Sequence, residues 1–141
     1  MKVPDVNVLL SGRDQTARHH ATARRWLEAA LSGSETVGLA WTVLLGFLRI
    51  STNPRVYDQP LSVADALDQL DDWIDLSSTA LVSPTSRHPT ILRDLIEGAG
   101  TAANLTTDAH LAALAIEHGA TLATFDGDFH RFDGLKLEYL G

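Results

Sequence analysis

Four aspartates stand at points where the sequence could do chemistry. Asp5 follows the short start MKVP, and Asp126 closely follows the apolar run ATLAT, with Asp128 two positions further on. Asp108 lies in the segment TTDA, which opens a helix-like pattern just before that run. Turn chemistry at Asp126-Gly127 explains one of the two neighbouring aspartates, because Asp-Gly is an ordinary way to end a strand. Turn chemistry does not explain the other aspartate of this pair, which needs a different explanation.

A metal site would explain such an excess of acid. Clustered carboxylates repel, and they relax either by holding protons or by binding a hard cation. With three or four carboxylates, the cation is the simpler answer. The chain has no cysteine and no convincing His pair, and ligands that are oxygen only select Mg²⁺ or Mn²⁺ over zinc. Such ions polarise a phosphoryl oxygen and activate water, so the pattern indicates phosphodiester hydrolysis.

Each aspartate also has a purely structural explanation. Asp5 could cap a short helix that begins at Val6, and Asp126 could be a turn residue. Asp108 could be a favourable negative charge at a helix N-terminus. Convergence of the three carboxylates is what would favour a metal site over these separate explanations.

The elements that must position these residues alternate between strand and helix. Strands are predicted at the start of the chain and at 36–40, 79–83 and 120–124, and helices at 17–32, 42–51, 62–76, 88–100 and 106–116, the last capped by Thr106 or Thr107. This alternation predicts an α/β fold with a short, mostly parallel sheet covered by helices on both faces. The carboxyl ends of parallel strands share one edge, and a helix between two such strands starts there. Asp5, Asp108 and Asp126 should therefore meet.

Composition sets limits on the class of protein. With 141 residues, 45% of them hydrophobic, the chain is expected to form one domain over residues 1–141. The absence of cysteine excludes disulfides, thiolate zinc sites and cysteine nucleophiles. The absence of cysteine also makes the cytoplasm the expected location. No stretch reads as a signal peptide or a membrane span, so no membrane association is expected.

The charge balance argues against a general basic surface for nucleic acid. Eleven basic and eighteen acidic residues give a net charge of -7. Part of the acid is the solvated side of the helix at 62–76 and carries no chemistry. Nine of the bases are Arg, whose planar fork of donors matches phosphate. Binding of nucleic acid would have to depend on local Arg placement, on metal ions or on a basic partner.

Several stretches together resemble a known family. They are PDVNVLL at the start, FLRIST at 47–52, TDAHLAALAIEHGATLATFDGDF at 107–129 and RFDGL at 131–135. Over nearly its whole length the chain resembles the VapC-type toxins of the PIN-domain ribonucleases. The long stretch at 107–129 is specific, whereas DVN alone would be weak.

The resemblance implies a small metal-dependent nuclease. It implies Mg²⁺ or Mn²⁺ bound through Asp5 and Asp108, with Asp126 and Asp128 completing an acidic pocket in which Asp5, Asp108 and Asp126 are catalytic. Asp128 either supports the pocket through water or caps a short helix carrying Phe129 and Phe132. The implied substrate is structured RNA such as tRNA or a ribosomal RNA loop. The implied partners are a cognate VapB-type antitoxin and a second copy of the chain in a homodimer.

One position departs from the family pattern. Members usually carry Glu in the helix after the second strand, just before the F-L-R stretch, and this chain has Gly46 there. Glycine inside a helix costs about 1 kcal/mol relative to alanine, so helix stability does not explain it. The alternative to an active nuclease is therefore a catalytically weak or silent PIN domain that acts by binding antitoxin or RNA.

Two arginines are candidates for phosphate contacts. Arg49 lies one turn along from Gly46, and Arg131 lies just past the acidic pair. Surface ion pairs are an equally good explanation of both. Three tryptophans, Trp26, Trp41 and Trp73, fall on apolar stripes or strand edges and are expected in the core.

Two other enzyme and signalling classes share this outline. A receiver-like domain would need a phosphoacceptor Asp at the end of a middle strand and a Lys near the last strand, but the third predicted strand ends in Ser83-Pro84. A haloacid-dehalogenase phosphatase would need a second Asp two residues after the first, where this chain has Asn7. Both classes are discounted.

Overall fold

Five short strands form one parallel sheet in a computed structural model of the chain, which describes residues 1–141. The strands are β1 (Lys2–Pro4), β2 (Val37–Ala40), β3 (Thr79–Val82), β4 (Thr121–Thr124) and β5 (Lys136–Tyr139). Their order across the sheet is β3-β2-β1-β4-β5, and every neighbouring pair is parallel. The predicted α/β fold is confirmed.

Six α-helices connect the strands. They are α1 (Val6–Arg13), α2 (His20–Ser32), α3 (Trp41–Ser51), α4 (Val63–Ile74), α5 (His88–Ala99) and α6 (Thr106–Glu117). Helix α1 packs on α2 and α3, α3 packs on α4, and α5 packs on α6. Right-handed crossovers place the first four helices on one face of the sheet and α5 and α6 on the other. None of these helices is long and apolar enough to cross a membrane.

One hydrophobic core of 28 buried residues runs through the sheet and both helical layers. Helix α6 is buried along most of its length, including the run Leu111–Ala115. A helix that is apolar on nearly all sides belongs in the interior. Since Asp108 lies in the first turn of α6, the core fixes the position of that carboxylate.

The helix ends agree only in part with the sequence prediction. Ser62 caps α4 by accepting a hydrogen bond from the Asp65 amide at 3.1 Å, and α5 ends at Gly100 with φ of 77°. The predicted threonine cap of α6 is wrong. A 3₁₀ turn, Ala103–Leu105, leads directly into α6, so Leu105 takes the cap position without a side-chain bond.

The fifth strand was not expected from the sequence. Strand β5 has the sequence KLEY, in which charged residues alternate with apolar ones, and it pairs with β4 along its whole length. Glu138 also forms a 3.5 Å ion pair with Lys2. So short and polar a segment resembles a loop until the strand beside it is known.

Candidate active site

The register of the sheet brings Asp5 beside Thr124. Pro4 pairs with Ala123, and the Asp5 amide then donates to the Ala123 carbonyl at 2.9 Å. The Thr124 hydroxyl donates to Asp5 Oδ2 at 2.7 Å. The ends of β1 and β4 are thus joined by a hydrogen bond between side chains 119 positions apart.

Asn7 strengthens this junction from the first turn of α1. Its amide nitrogen donates to Asp5 Oδ2 at 3.0 Å and to Thr124 Oγ1 at 3.1 Å. Its amide oxygen accepts from the Phe125 backbone at 3.2 Å. Asn7 therefore orients Asp5 and fixes the backbone just before Asp126.

Asp5 is both a helix cap and a member of the acidic site. Its Oδ1 accepts from the Val6 amide at 2.7 Å, and the residue is 7% exposed. Burial raises the pKa of Asp5, hydrogen bonds from Thr124 and Val6 lower it, and the charge of Asp126 raises it again. The structural explanation of Asp5 and the chemical one are compatible.

Asp108 comes to the same edge from the opposite face of the sheet. Burial, followed by the charges of Asp5, Asp126 and Asp128, raises its pKa to about 6. Asp108 is thus within electrostatic reach of the other three carboxylates. The sequence predicted this convergence for Asp5, Asp108 and Asp126. We call Asp5, Asp108, Asp126 and Asp128 the acidic notch.

The two aspartates after β4 have different roles in the backbone. Asp126 caps the 3₁₀ helix Gly127–Arg131, and its Oδ1 accepts from the Asp128 amide at 2.9 Å. Asp128 lies in the first turn of that helix and is exposed. The cap is therefore Asp126, and the alternative in which Asp128 caps this helix is wrong.

The donor set of the acidic notch fits Mg²⁺ or Mn²⁺ in its chemistry. All four side chains offer carboxylate oxygens, and their mutual repulsion at Asp108 is what a cation would relieve. As the side chains stand, no three His, Asp or Glu residues are close enough together to hold one ion. The carboxylates would have to turn toward one another to share it.

A cavity of about 730 Å³ lies elsewhere in the fold. It is lined by the C-terminal ends of α1 and α3 and by the segments that follow them, including Arg13, Ser51 and Tyr57. None of the predicted site residues lines it.

The sequence matches a known family over almost its whole length. A family model of the PIN domain matches residues 2–135. Ribonuclease VapC37 of Mycobacterium tuberculosis strain H37Rv is 46% identical over 138 residues, which make up 98% of this chain and 96% of that protein. This chain belongs to the VapC family of PIN domains. Ribonuclease VapC33 of the same strain is 38% identical, covering 96% of this chain and 95% of its own.

Solved structures share the PIN fold. A chain in the crystal structure of VapBC2 from Rickettsia felis, bound to a DNA fragment from its promoter, superposes with a TM-score of 0.68. The match covers 99% of this chain and 98% of that one, at 18% sequence identity. At that identity the match concerns the fold alone.

Gly46 of this PIN domain packs against the residue that follows Asp5. It is buried in α3, and a Cβ atom built there would be 3.2 Å from Cγ2 of Val6, the residue next to Asp5. The close approach of α3 to α1 gives a packing reason for glycine. A longer side chain at this position would begin beside Val6, one residue along the chain from Asp5.

The two candidate RNA-binding arginines differ in their surroundings. Arg49 is exposed on α3 and makes no ion pair within 4.0 Å. Arg131 Nη2 donates to the Ala99 carbonyl at 3.2 Å, at the C-terminal end of α5. Arg49 is therefore free to contact a phosphate, whereas Arg131 would have to give up a hydrogen bond or use its other donors.

Sequence reasoning missed the residues that support the PIN site. Thr124 and Asn7 hold Asp5, yet neither residue type signals such a role on its own. It also missed a buried row in which His88 bonds to Glu117 Oε2 at 2.9 Å and to His110 Nδ1 at 2.9 Å. Glu117 lies seven residues after His110 on α6, just past the predicted end of that helix at 116. This spacing was the available signal, since such residues share a face of a helix.

Replacing Thr124 with valine should destabilise the fold and weaken the site. Thr124 is fully buried, and its hydroxyl also accepts the Asp126 amide at 3.0 Å. Valine keeps the shape but leaves these partners unsatisfied, which costs about 2 kcal/mol of unfolding free energy by urea denaturation. The pKa of Asp5 should rise further, because the Thr124 hydrogen bond lowers it.

The matched control is Thr121→Val on the same strand, where the hydroxyl makes no hydrogen bond. Equal stability losses in the two variants would mean that the Thr124 hydroxyl has no special role.

Proposed function

We propose that this chain is a metal-dependent endoribonuclease toxin of a type II toxin–antitoxin system, cutting phosphodiester bonds in structured RNA such as tRNA or rRNA. The observation that carries the proposal is the acidic notch, in which burial and then the neighbouring charges raise the pKa of Asp108 to about 6. Membership of a family whose relatives include ribonuclease VapC37 supports it. One PIN domain over residues 1–141 would carry the activity.

Asp5, Asp108 and Asp126 would hold Mg²⁺ or Mn²⁺, with Asp128 in support. The bound ion supplies an electrophile for phosphoryl oxygen and lowers the pKa of water. The protein contributes positioned ligands: Thr124 and Asn7 orient Asp5. Asp108 must be ionised to take part, so protons and the cation compete for it.

Arg49 and Arg131 would contact the RNA backbone at the edges of the notch. A guanidinium offers a planar fork to a phosphate and keeps its charge at all working pH values. These contacts would position the substrate without reading its sequence. The positive charge of the two arginines would then offset, near the notch, the repulsion between RNA and a chain with a net charge of -7.

The proposed partner is a VapB-type antitoxin. The structural match to a chain of the VapBC2 complex supports this choice. The acidic charge of the chain favours a partner with a basic segment near the notch. A homodimer and a cytoplasmic location, where RNA is available, complete the proposal.

The second candidate function is a weak or silent PIN domain that acts by binding. Gly46 favours it, because one carboxylate usual in the family is absent. Retention of the other acidic positions favours the active enzyme. Metal-dependent cleavage separates the two.

The test is cleavage of total RNA by the purified chain, freed of partner, with Mn²⁺ or with chelator. Asp5→Asn should lower the rate by more than about 100-fold, since losing even a group that supports a ligand costs 10–100-fold. Asn keeps the cap of α1. The control is Asp68→Asn, which removes an exposed acid of α4.

Two outcomes would count against the nuclease. Wild-type protein that cuts no RNA with metal would favour the silent PIN domain. Cleavage that survives Asp5→Asn unchanged would place the active site outside the notch.

Gly46→Glu should tighten Mn²⁺ binding by about tenfold, or about 1.4 kcal/mol, by adding a carboxylate beside the notch. Val6 must yield, because the new Cβ atom would approach its Cγ2 to 3.2 Å. Isothermal titration of Mn²⁺ measures the effect. Gly46→Ala is the matched control, since it adds the same Cβ without the charge; equal affinities for the two variants would contradict the prediction.

A further inference from the structure

A pair of stacked rings lies next to the acidic notch. The His19 and Phe125 rings are 4.4 Å apart between centroids, with 12° between their planes. The other four aromatic pairs of the chain cross at 70° to 83°. Both rings of the stacked pair are half-buried. They therefore combine a fixed parallel geometry with contact to solvent.

Hydrogen bonds connect this ring pair to the notch. Phe125 stands between Thr124 and Asp126, and its amide donates to Asn7 Oδ1 at 3.2 Å. Asn7 in turn donates to Asp5 at 3.0 Å. The backbone that carries the Phe125 ring is thus fixed by the same residues that orient the carboxylates.

We propose that His19 and Phe125 form a base-stacking platform for an unpaired nucleotide of RNA whose phosphate lies at the acidic notch. The inference deepens the proposed ribonuclease function and depends on it for the identity of the polymer. Flat aromatic faces bind unstacked bases of any sequence. An edge-on pair offers no continuous flat face, whereas a parallel pair can be extended by a third ring.

Stacking would also allow this acidic chain to bind RNA without depending on positive charge. A net charge of -7 opposes RNA at long range. A contact between neutral faces releases no counterions, so its contribution does not fall with salt as phosphate contacts do. The platform would hold the nucleotide beside carboxylates that, without metal, repel its phosphate.

The test uses a short single-stranded oligoribonucleotide with a central 2-aminopurine, whose fluorescence is quenched on stacking. It is titrated with the full chain in chelator, so that no cleavage occurs. Phe125→Leu and His19→Ala should each weaken binding about tenfold and reduce the quenching at saturation. Phe125→Trp should retain the quenching.

Controls separate stacking from folding and from general aromatic surface. Mn²⁺ titration confirms that Phe125→Leu still folds around the notch. Tyr139→Leu removes a more exposed aromatic, which meets His130 edge-on at 83°, and it should bind as wild type does.

The platform is overturned if Phe125→Leu and His19→Ala bind and quench like wild type, because the rings would then only pack the turn before α2 against β4. An equal loss in Tyr139→Leu also overturns it. Quenching is read without metal, so a wild-type protein that fails to cut RNA would refute the nuclease proposal without deciding the stacking result.

Discussion

Asp108→Asn is expected to abolish metal-dependent RNA cleavage and, in chelator, to raise the melting temperature of the protein. Burial and three negative neighbours raise the pKa of Asp108 to about 6, so its charge destabilises the metal-free fold at neutral pH. Asparagine keeps the shape and removes the charge. The expected gain at about pH 7.5 is roughly 3 °C, and cleavage should fall by more than about 100-fold.

The sign of the pH dependence follows from the direction of the shift. A carboxyl whose pKa is raised by folding binds its proton more tightly in the folded state, so folding gains stability as pH falls through about 6. The advantage of Asp108→Asn in thermal melts should therefore shrink between about pH 7.5 and pH 5. Cleavage by wild type should decline over the same window, because protonated Asp108 cannot bind a cation.

His110 contributes to the pH dependence of folding stability with the opposite sign. Burial, and then the charge of His88, lower its pKa, so its protonation costs stability as pH falls through its ordinary value. Wild type and Asp108→Asn both contain His110, so its contribution cancels when the melting temperatures of the two proteins are compared. Asp94→Asn, an exposed acid of α5, is the control. An Asp108→Asn protein less stable than wild type in chelator at neutral pH would show that the notch carries no such repulsion.

Glu117→Leu is expected to cost about 2–6 kcal/mol of unfolding free energy, since each of two buried donors left without a partner costs about 1–3 kcal/mol. The Glu117 side chain is fully buried and accepts the Thr85 amide at 2.8 Å and His88 Nδ1 at 2.9 Å. Leucine would leave both donors without a partner. Because His88 also holds His110, the contact between α5 and α6 should loosen, and urea denaturation reports the loss.

The matched control is Glu97→Leu. Glu97 meets Arg93 at 3.5 Å on the exposed side of α5, and such pairs contribute about 0.5 kcal/mol. If Glu117→Leu lost no more stability than Glu97→Leu, the buried row would not hold the two helices together.

The sequence was sufficient for the parts of the fold that follow from local pattern. Apolar runs and helical stripes located four strands and the main helices, and the shared edge of a parallel sheet predicted that Asp5, Asp108 and Asp126 would converge. The catalytic and metal-binding roles of these residues stay predictions. Trp41 was expected in the core but is 47% exposed, because it is the first residue of α3 and directly follows the end of β2.

What the sequence could not supply were pairings between distant side chains. Thr124 reads as an ordinary strand residue until β1 is placed beside β4. His88 and His110, 22 positions apart, look like surface histidines until α5 packs on α6. Strand β5 could not be predicted for the same reason, since its short alternating pattern is recognisable as a strand only from its pairing with β4.

The two edge strands of the sheet differ in how strongly they resist pairing with a strand of another chain. Every edge strand offers unpaired backbone groups to another chain, and charged side chains discourage that contact. The β5 border carries Lys136 and Glu138, whereas the β3 border exposes Ala80 and Leu81, the latter by 46%. In concentrated solution, strand-to-strand aggregation of this protein should therefore start from the β3 side.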